Sequence, residues 1–383
     1  MLLKIKVRID GGVKSVRKNQ QSKYFLKRLC AIPLAVLTFL FLNFAKRNSD
    51  WTEKRYSQTI YPNLKKIIGF IPSKFSLSFF EFIILFSIIM TIISLAYFIY
   101  SLKSKRSSRQ IIIYRFLTGI ITVVCFVYIT FTFTCGLNYY RYSFTRYLDY
   151  DKYEPTQTDL EEMIIYYGSK LDAEKINLSN QLSYSFDENA KESVIAMNEL
   201  ANAYPILGEV DYFQPKALVS SKFFSKAGIA GLFFPFTYES NINVAIPNYM
   251  IPATMTHELA HQAGFMSEDE ANFIAYLACV NSKDTQIRYS GYFFAFTQSI
   301  VRLKKIDSKK AIDLESRLSD SVKTDLNFYR DYLKSQAGLI QTISLKMNNG
   351  YLKANNQTNG VKDYNQVVSL LLLDFKKMMQ DLN

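Results

Sequence analysis

Three long uncharged apolar runs, all within the first 140 residues, constrain this chain more than any other feature. Leu29–Ala45 has seventeen residues, Phe82–Tyr100 nineteen and Phe116–Tyr140 twenty-five, none of them charged. A segment that crosses roughly 30 Å of hydrocarbon must satisfy its own backbone N–H and C=O groups, which makes it a helix. The expected organisation is a basic leader (1–28), a three-span region (29–141, with spans near 29–45, 80–100 and 114–140) and a C-terminal domain (142–383). A cleaved signal peptide competes for the first run. The long basic leader and the two further runs favour a retained span.

The charge distribution supports the same division. The formal charge is +13 over 383 residues. Residues 1–141 hold 22 Lys/Arg against 4 Asp/Glu, a net of +18, and residues 142–383 hold 24 against 29, a net of −5. The basic excess sits entirely in the apolar third. That pattern belongs to membrane flanks, so a lipid bilayer is the expected partner and nucleic acid is not. The leader and the loop carrying Lys103, Lys105, Arg106 and Arg109 are the densest basic segments. Positive-inside reasoning puts both in the cytoplasm and everything after Arg141 outside it. Residues 46–74 read as a polar outer loop, whose Trp51, Tyr56 and Tyr61 suit a membrane interface. Cys30, Cys125, Cys135 and Cys279 show no metal-knuckle or redox spacing and read as small buried hydrophobes.

Beyond Arg141 the pattern becomes that of a folded domain. Thr158 to Glu161 reads as a capping box opening a helix to about Ala173, and Asp187–Ala203 as a second helix. Lys216–Ser220, Ala230–Phe236 and Glu239–Ile246 read as short strands. Helices follow around His257, over Ser267–Val280, 284–304 and 308–337. A turn is expected at Asn355–Gly360 and a last helix over Val361–Met379. The expected fold class is α+β: three transmembrane helices, then a mostly helical domain with a small sheet.

The chemistry concentrates in Thr256–Gln262, a His-Glu-x-x-His sequence holding both histidines of the chain. Positions i and i+4 share one helix face, so His257 and His261 can grip one metal ion, expected to be one zinc per chain. Glu258 is then the general base. The bland alternative is two surface histidines on an amphipathic helix, a weak one in a chain so poor in histidine. A third ligand must be Asp, Glu or Cys. Gly264 can adopt φ > 0 and fold the chain back, bringing the acids at 268–270 near the metal. Glu268 is the favoured third ligand, with Asn272 at i+4 as an outer-shell partner. Glu270 is the alternative, and Ser267 with Glu270 would also make a capping box. Plain charge stabilisation of a helix N-terminus explains either acid without a metal.

These residues carry a resemblance. His257-Glu258-x-x-His261 followed by Glu268-x-x-Ala271-Asn272 resembles the gluzincin arrangement, in which the third ligand is a glutamate on a following helix. The gap between His261 and the glutamate is shorter than is usual there. The chain also resembles an uncharacterised bacterial family of multi-span membrane proteins. The matching pieces are Gly136–Arg141, Gly228–Gly231, Pro235–Glu239, His257–Phe273 and Arg288–Tyr292. The resemblance implies a zincin-like domain and zinc peptidase chemistry.

Other assignments follow from position. Tyr289 could donate to an oxyanion, with Arg288 and Tyr292 as neighbours. The strand Glu239–Ile246 could pair with an extended peptide, Asn241 and Asn243 lying on its polar face. The expected function is a membrane-anchored zinc metallopeptidase acting on a peptide or protein substrate outside the cytoplasm. The alternative is a catalytically inactive zinc-binding scaffold or partner-binding domain. An intramembrane protease is disfavoured because 251–266 is too short an apolar run to span. A transporter is disfavoured because the apolar runs carry no buried charge.

Overall fold

The computed structural model describes residues 30–104, 108–148, 150, 154–178, 184–208, 212–355 and 364–381. The expected leader (1–28), Lys105, Arg106 and all of the Asn355–Gly360 turn except Asn355 lie outside the described residues. In chain order, helix α1 spans Ala31–Arg47. A π-helical stretch, Thr52–Ile60, leads into α2 (Tyr61–Gly69), followed by α3 (Phe79–Lys103) and α4 (Arg109–Thr134). The chain divides into two compact units. One takes the residues up to Asn48 together with Ile83–Thr134, and the other takes Ser49–Phe82 and Cys135–Asn383.

The described residues of the first unit are almost all helical and largely apolar. α1 packs on α4, with Phe41 and Phe133 stacked at 5.8 Å, and Phe98 of α3 stacks on Phe116 of α4 at 4.2 Å. Thr38, Thr91, Thr118 and Thr132 each donate to the carbonyl four residues earlier, so their hydroxyls need no water. α3 and α4 are long and apolar enough to cross a membrane. Among the described residues the expected three spans become two by this measure. α1 has 17 residues, and at 1.5 Å per residue it covers roughly 26 Å, short of about 30 Å of hydrocarbon. The last expected span also ends early. α4 stops at Thr134, and Gly136–Tyr140 forms a 3₁₀ turn whose Asn138 is buried in the second unit and accepts from Ser57.

The second unit continues with α5 (Gln157–Leu178), α6 (Phe186–Ala203), β1 (Lys216–Ala217), α7 (Ser221–Ala227), β2 (Gly231–Phe234) and β3 (Glu239–Ile242). Then come α8 (Ile251–Gln262), α9 (Glu268–Val280), α10 (Thr285–Ile306), α11 (Ser308–Ser316), α12 (Asp320–Gln336), α13 (Leu339–Ala354) and α14 (Tyr364–Asp381). α8 is the central element. It is walled by α6, α9, α10 and the sheet, and nearly all its residues are buried. Ser290 of α10 accepts from Ala253 N in its first turn, meeting a donor that the helix itself cannot. Gly291 lets α10 approach α9, since a Cβ there would lie 2.5 Å from Cys279 Cβ.

The structure corrects several local expectations. Residues 46–74 are not an outer polar loop. They are largely helical, and Tyr56, Tyr61, Glu53 and Lys65 are buried in the second unit. That unit therefore takes in 49–82 and 135–141 besides residues from 142 on. The box opening α5 lies two residues earlier than read: Thr156 and Asp159 exchange hydrogen bonds, and Thr158 is not the cap. The stretch 308–337 breaks into α11 and α12 where Ser319 caps Val322 N. α13 had no expected counterpart.

The sheet order is β1-β3-β2, with β1 parallel and β2 antiparallel to β3. β3 is thus the middle strand, with both edges already paired. Asn241 and Asn243 are fully buried, Asn241 accepting from Ser78 and Asn243 donating to Ser225 and Ile229 O. They cannot receive an added peptide strand.

Candidate metal centre

α8 presents His257 and His261 one turn apart, their rings 4.7 Å apart and nearly perpendicular. The helix ends at Gly264, whose φ is +92°, as the φ > 0 reading required. Gly264 N bonds to His261 O and Phe265 N to Ala260 O, turning the chain back. The turn carries Phe265 O to 2.7 Å from His261 Nδ1. With the proton on Nδ1 shared to that carbonyl, Nε2 keeps its lone pair for a metal.

The turn also delivers α9. Glu268 Oε2 lies 3.4 Å from His257 Nε2, and Glu268 Oε1 lies 3.8 Å from His261 Nε2. The candidate ligand atoms of His257, His261 and Glu268 all lie within 4.8 Å of one another. Metal–ligand bonds of about 2.0–2.1 Å in a tetrahedron separate neighbouring donors by roughly 3.3 Å. Two imidazole nitrogens and a carboxylate at these spacings suit zinc. Among the described residues no fourth His, Cys, Asp or Glu joins the group, and Glu268 remains a quarter exposed.

The other candidate acid is engaged elsewhere. Glu270 accepts from Phe144 N at 2.8 Å and from the Ser143 hydroxyl, tying 143–144 to α9. It does not cap α9 with Ser267, whose hydroxyl turns to Asp269. Burial pushes the Glu270 carboxyl up to about 7. Asn272 stands beside His257 and favours its charged form, but His257 Nδ1 has no hydrogen-bond partner among the described residues. Tyr289 is misplaced for an oxyanion role. It is buried in the core and donates to Asp325 at 2.5 Å, while Arg288 pairs with Glu174 and Tyr292 is buried beside Tyr166.

Glu258 faces the sheet rather than water. One of its oxygens, Oε2, is buried without a hydrogen-bond partner among the described residues, and burial pushes the carboxyl up to about 8. Burial opposes the charge on Glu268 as well, but the two histidines hold that carboxyl down at about 2. Burial holds the His261 ring down at about 4. For His257 burial works against protonation, and Glu268 and Glu258 outweigh it.

Two features of the site were not read from the sequence. Gly231 of β2 abuts the base: a Cβ there would lie 2.4 Å from Glu258 Oε1. β2 is an edge strand. Because Ala230 O bonds to Asn243 N, the alternation of antiparallel pairs turns the backbone groups of Gly231 and Phe233 away from β3. The second feature is a pair of tyrosines, Tyr139 and Tyr351, whose hydroxyls lie 2.9 Å apart. Burial raises both above the usual phenol range, and the charge of Glu268 adds to the rise. The only signal for Gly231 was its place in the Gly228–Gly231 segment. Tyr351 sits some 90 residues beyond the motif, among 27 tyrosines, with nothing to single it out.

No curated protein and no solved structure matches the chain. A family profile does, over residues 56–372, from the buried π-helical stretch through the His/Glu cluster into α14. The chain therefore belongs to the family described as Protein of unknown function (DUF3810).

Proposed function

We propose that this protein is a membrane-anchored zinc metallopeptidase. The observation that carries the reading is the convergence of His257, His261 and Glu268 within 4.8 Å, with a buried Glu258 oxygen, lacking a hydrogen-bond partner among the described residues, on the adjoining turn of α8. His257 Nε2, His261 Nε2 and the Glu268 carboxylate would hold the ion. When bound, zinc supplies a Lewis acid and lowers the pKa of the water it holds. Glu258 takes the proton from the attacking water and returns it to the leaving amine. Phe265 O fixes the tautomer of His261 throughout. The outward backbone groups of Gly231 and the outward C=O of Phe233 pair with an extended peptide and lay its carbonyl over the cluster, while the Phe233 N–H faces Glu258. The hydroxyls of Tyr139 and Tyr351 donate to the developing oxyanion.

α3 and α4 anchor the unit by crossing the bilayer. The basic residues of the loop that joins them, Lys103 and Arg109 among them, set that loop inside and the catalytic unit outside the cytoplasm. The partly exposed cluster, with no fourth ligand among the described residues, favours a catalytic ion over a structural one.

The test compares the full-length wild type with His257→Ala and Glu258→Gln by metal analysis and peptide-library cleavage. Wild type and Glu258→Gln should each hold one zinc per chain, and His257→Ala should hold none. Glu258→Gln should lose about 10²–10⁴ in cleavage rate. A Glu258→Gln protein that cleaves like wild type sinks the mechanism. Zinc binding with no cleavage by wild type turns the reading to a zinc-binding scaffold.

A further inference from the structure

We infer that the second unit docks onto an anionic lipid surface through a patch that lies outside the spans: Phe70, Ile71, Phe75, Leu77, Val219 and Phe223. The inference rests on reading α3 as a span. The six side chains are all exposed, Ile71 at 63%, Phe223 at 60% and Val219 at 83%. Neighbouring apolar side chains exposed to this degree require a cover.

The fold joins the patch to the start of α3. Lys216 Nζ ties the 72–77 loop from beneath, donating to Pro72 O at 2.7 Å and Leu77 O at 3.0 Å. Glu81, in the first turn of α3, accepts from Val219 N at 3.0 Å, Ser220 N at 2.8 Å and the Ser220 hydroxyl. Phe80 packs on Phe224 at 6.0 Å, and Phe75, Phe79 and Phe82 form a continuous aromatic run into α3. The exposed loops are thus hydrogen-bonded to residues of the first turn of α3. The Glu81 carboxylate is turned to the loop amides of 219–220.

Charge identifies the occupant. Residues 61–80 contain three lysines and no acid, and residues 215–227 contain three lysines and no acid. Lys66, Lys74 and Lys222 are exposed. Exposed aromatic and aliphatic side chains with lysines among them match the interfacial zone of a leaflet bearing acidic headgroups. A protein partner would not require this apolar surface to be continuous with a span.

The experiment uses full-length protein in liposomes of phosphatidylcholine and phosphatidylglycerol with brominated acyl chains. Trp51→Phe removes the single tryptophan. Reporters are then placed one at a time: Val219→Trp and Phe223→Trp in the patch, Leu95→Trp in α3 and Ile312→Trp on α11. Bromolipid should quench the reporters at 95, 219 and 223 at least about twofold more than the one at 312, and aqueous iodide should show the reverse order. If position 95 is quenched while 219 and 223 respond only to iodide, the docking inference falls and the span stands. If 219 and 223 are shielded from both quenchers, a protein covers the patch and the inference is wrong. If 95 itself escapes bromolipid, the span reading falls and takes the inference with it.

Discussion

Two charged clusters, one buried and one partly exposed, flank the C-terminal end of α8, and they are finished differently. In the first, Glu53 Oε1 accepts from Arg141 Nη2 at 2.7 Å and from Gln58, while Oε2 accepts from Arg141 Nε at 3.1 Å and Tyr142 N at 3.0 Å. The guanidinium also lies 3.9 Å over the Phe265 ring and donates to Ala263 O. Burial opposes ionisation of Glu53, and Arg141 overcomes it. Both oxygens of the acid are matched, so the pair is closed. In the second cluster Glu268 faces His257 and His261 at 3.4 and 3.8 Å, while Glu258 Oε2 and His257 Nδ1 find no hydrogen-bond partner among the described residues. Unmatched buried groups cost stability, and the proposed metal would give this cluster what it lacks. The closed pair holds the turn in place, and the open cluster uses it.

Breaking the closed pair should have the largest effect on stability. Arg141→Met strands Glu53 in the interior and should cost about 3–5 kcal/mol in thermal or denaturant unfolding of the detergent-solubilised protein. The double variant Glu53→Leu/Arg141→Met should cost less than the single one, because no charge is left alone. A single variant as stable as wild type would show that the pair is not closed as described.

The open cluster should respond in metal content instead. Glu268→Gln should weaken zinc binding by more than the ~10–100-fold typical of outer-shell partners, and Glu270→Gln should retain one zinc per chain. Loss of zinc from the Glu270 variant alone would reverse the assignment of the third ligand. Both readouts come from equilibrium dialysis and elemental analysis.

Smaller effects belong to the glycines that let the parts approach. Gly231→Ala forces a methyl against Glu258 Oε1 and should destabilise by about 1–3 kcal/mol, with cleavage reduced more than zinc content. Gly264→Ala puts a side chain at φ +92° and should cost roughly 1–2 kcal/mol. It also shifts Phe265 O from His261, so zinc affinity should fall modestly while the fold persists. Unchanged affinity would mean that the carbonyl does not orient the ring.

Local pattern was enough to find much of this. The i, i+4 spacing put both histidines on one face, and Gly264 three residues later marked the turn that its φ bears out. The three strands fall inside the segments read as strands, but each is shorter than read, the helix Ser221–Ala227 between the first two was not read, and the strand order did not follow. Order depends on which edges meet in space, so the middle position of β3 and the burial of Asn241 and Asn243 were not legible. Tyr289 failed for a similar reason: proximity in sequence to the motif said nothing about the direction in which α10 turns that side chain.

What the sequence by itself determined is whatever repeats at short range: the apolar runs of α3 and α4, the paired histidines, the glycine stop and the acids that follow it. Tertiary structure decided what has to be matched across the chain. It sends Glu268 to the histidines and Glu270 to Phe144, folds residues 49–82 in with the site unit and brings β2 beside the base. The physical reason is range. Helix periodicity and backbone conformation are set within a few residues. A carboxylate's partner is set by which donors the packed fold leaves within about 3–4 Å of it, and those donors can lie far off in the chain, 88 residues for Glu53 with Arg141 and 126 for Glu270 with Phe144.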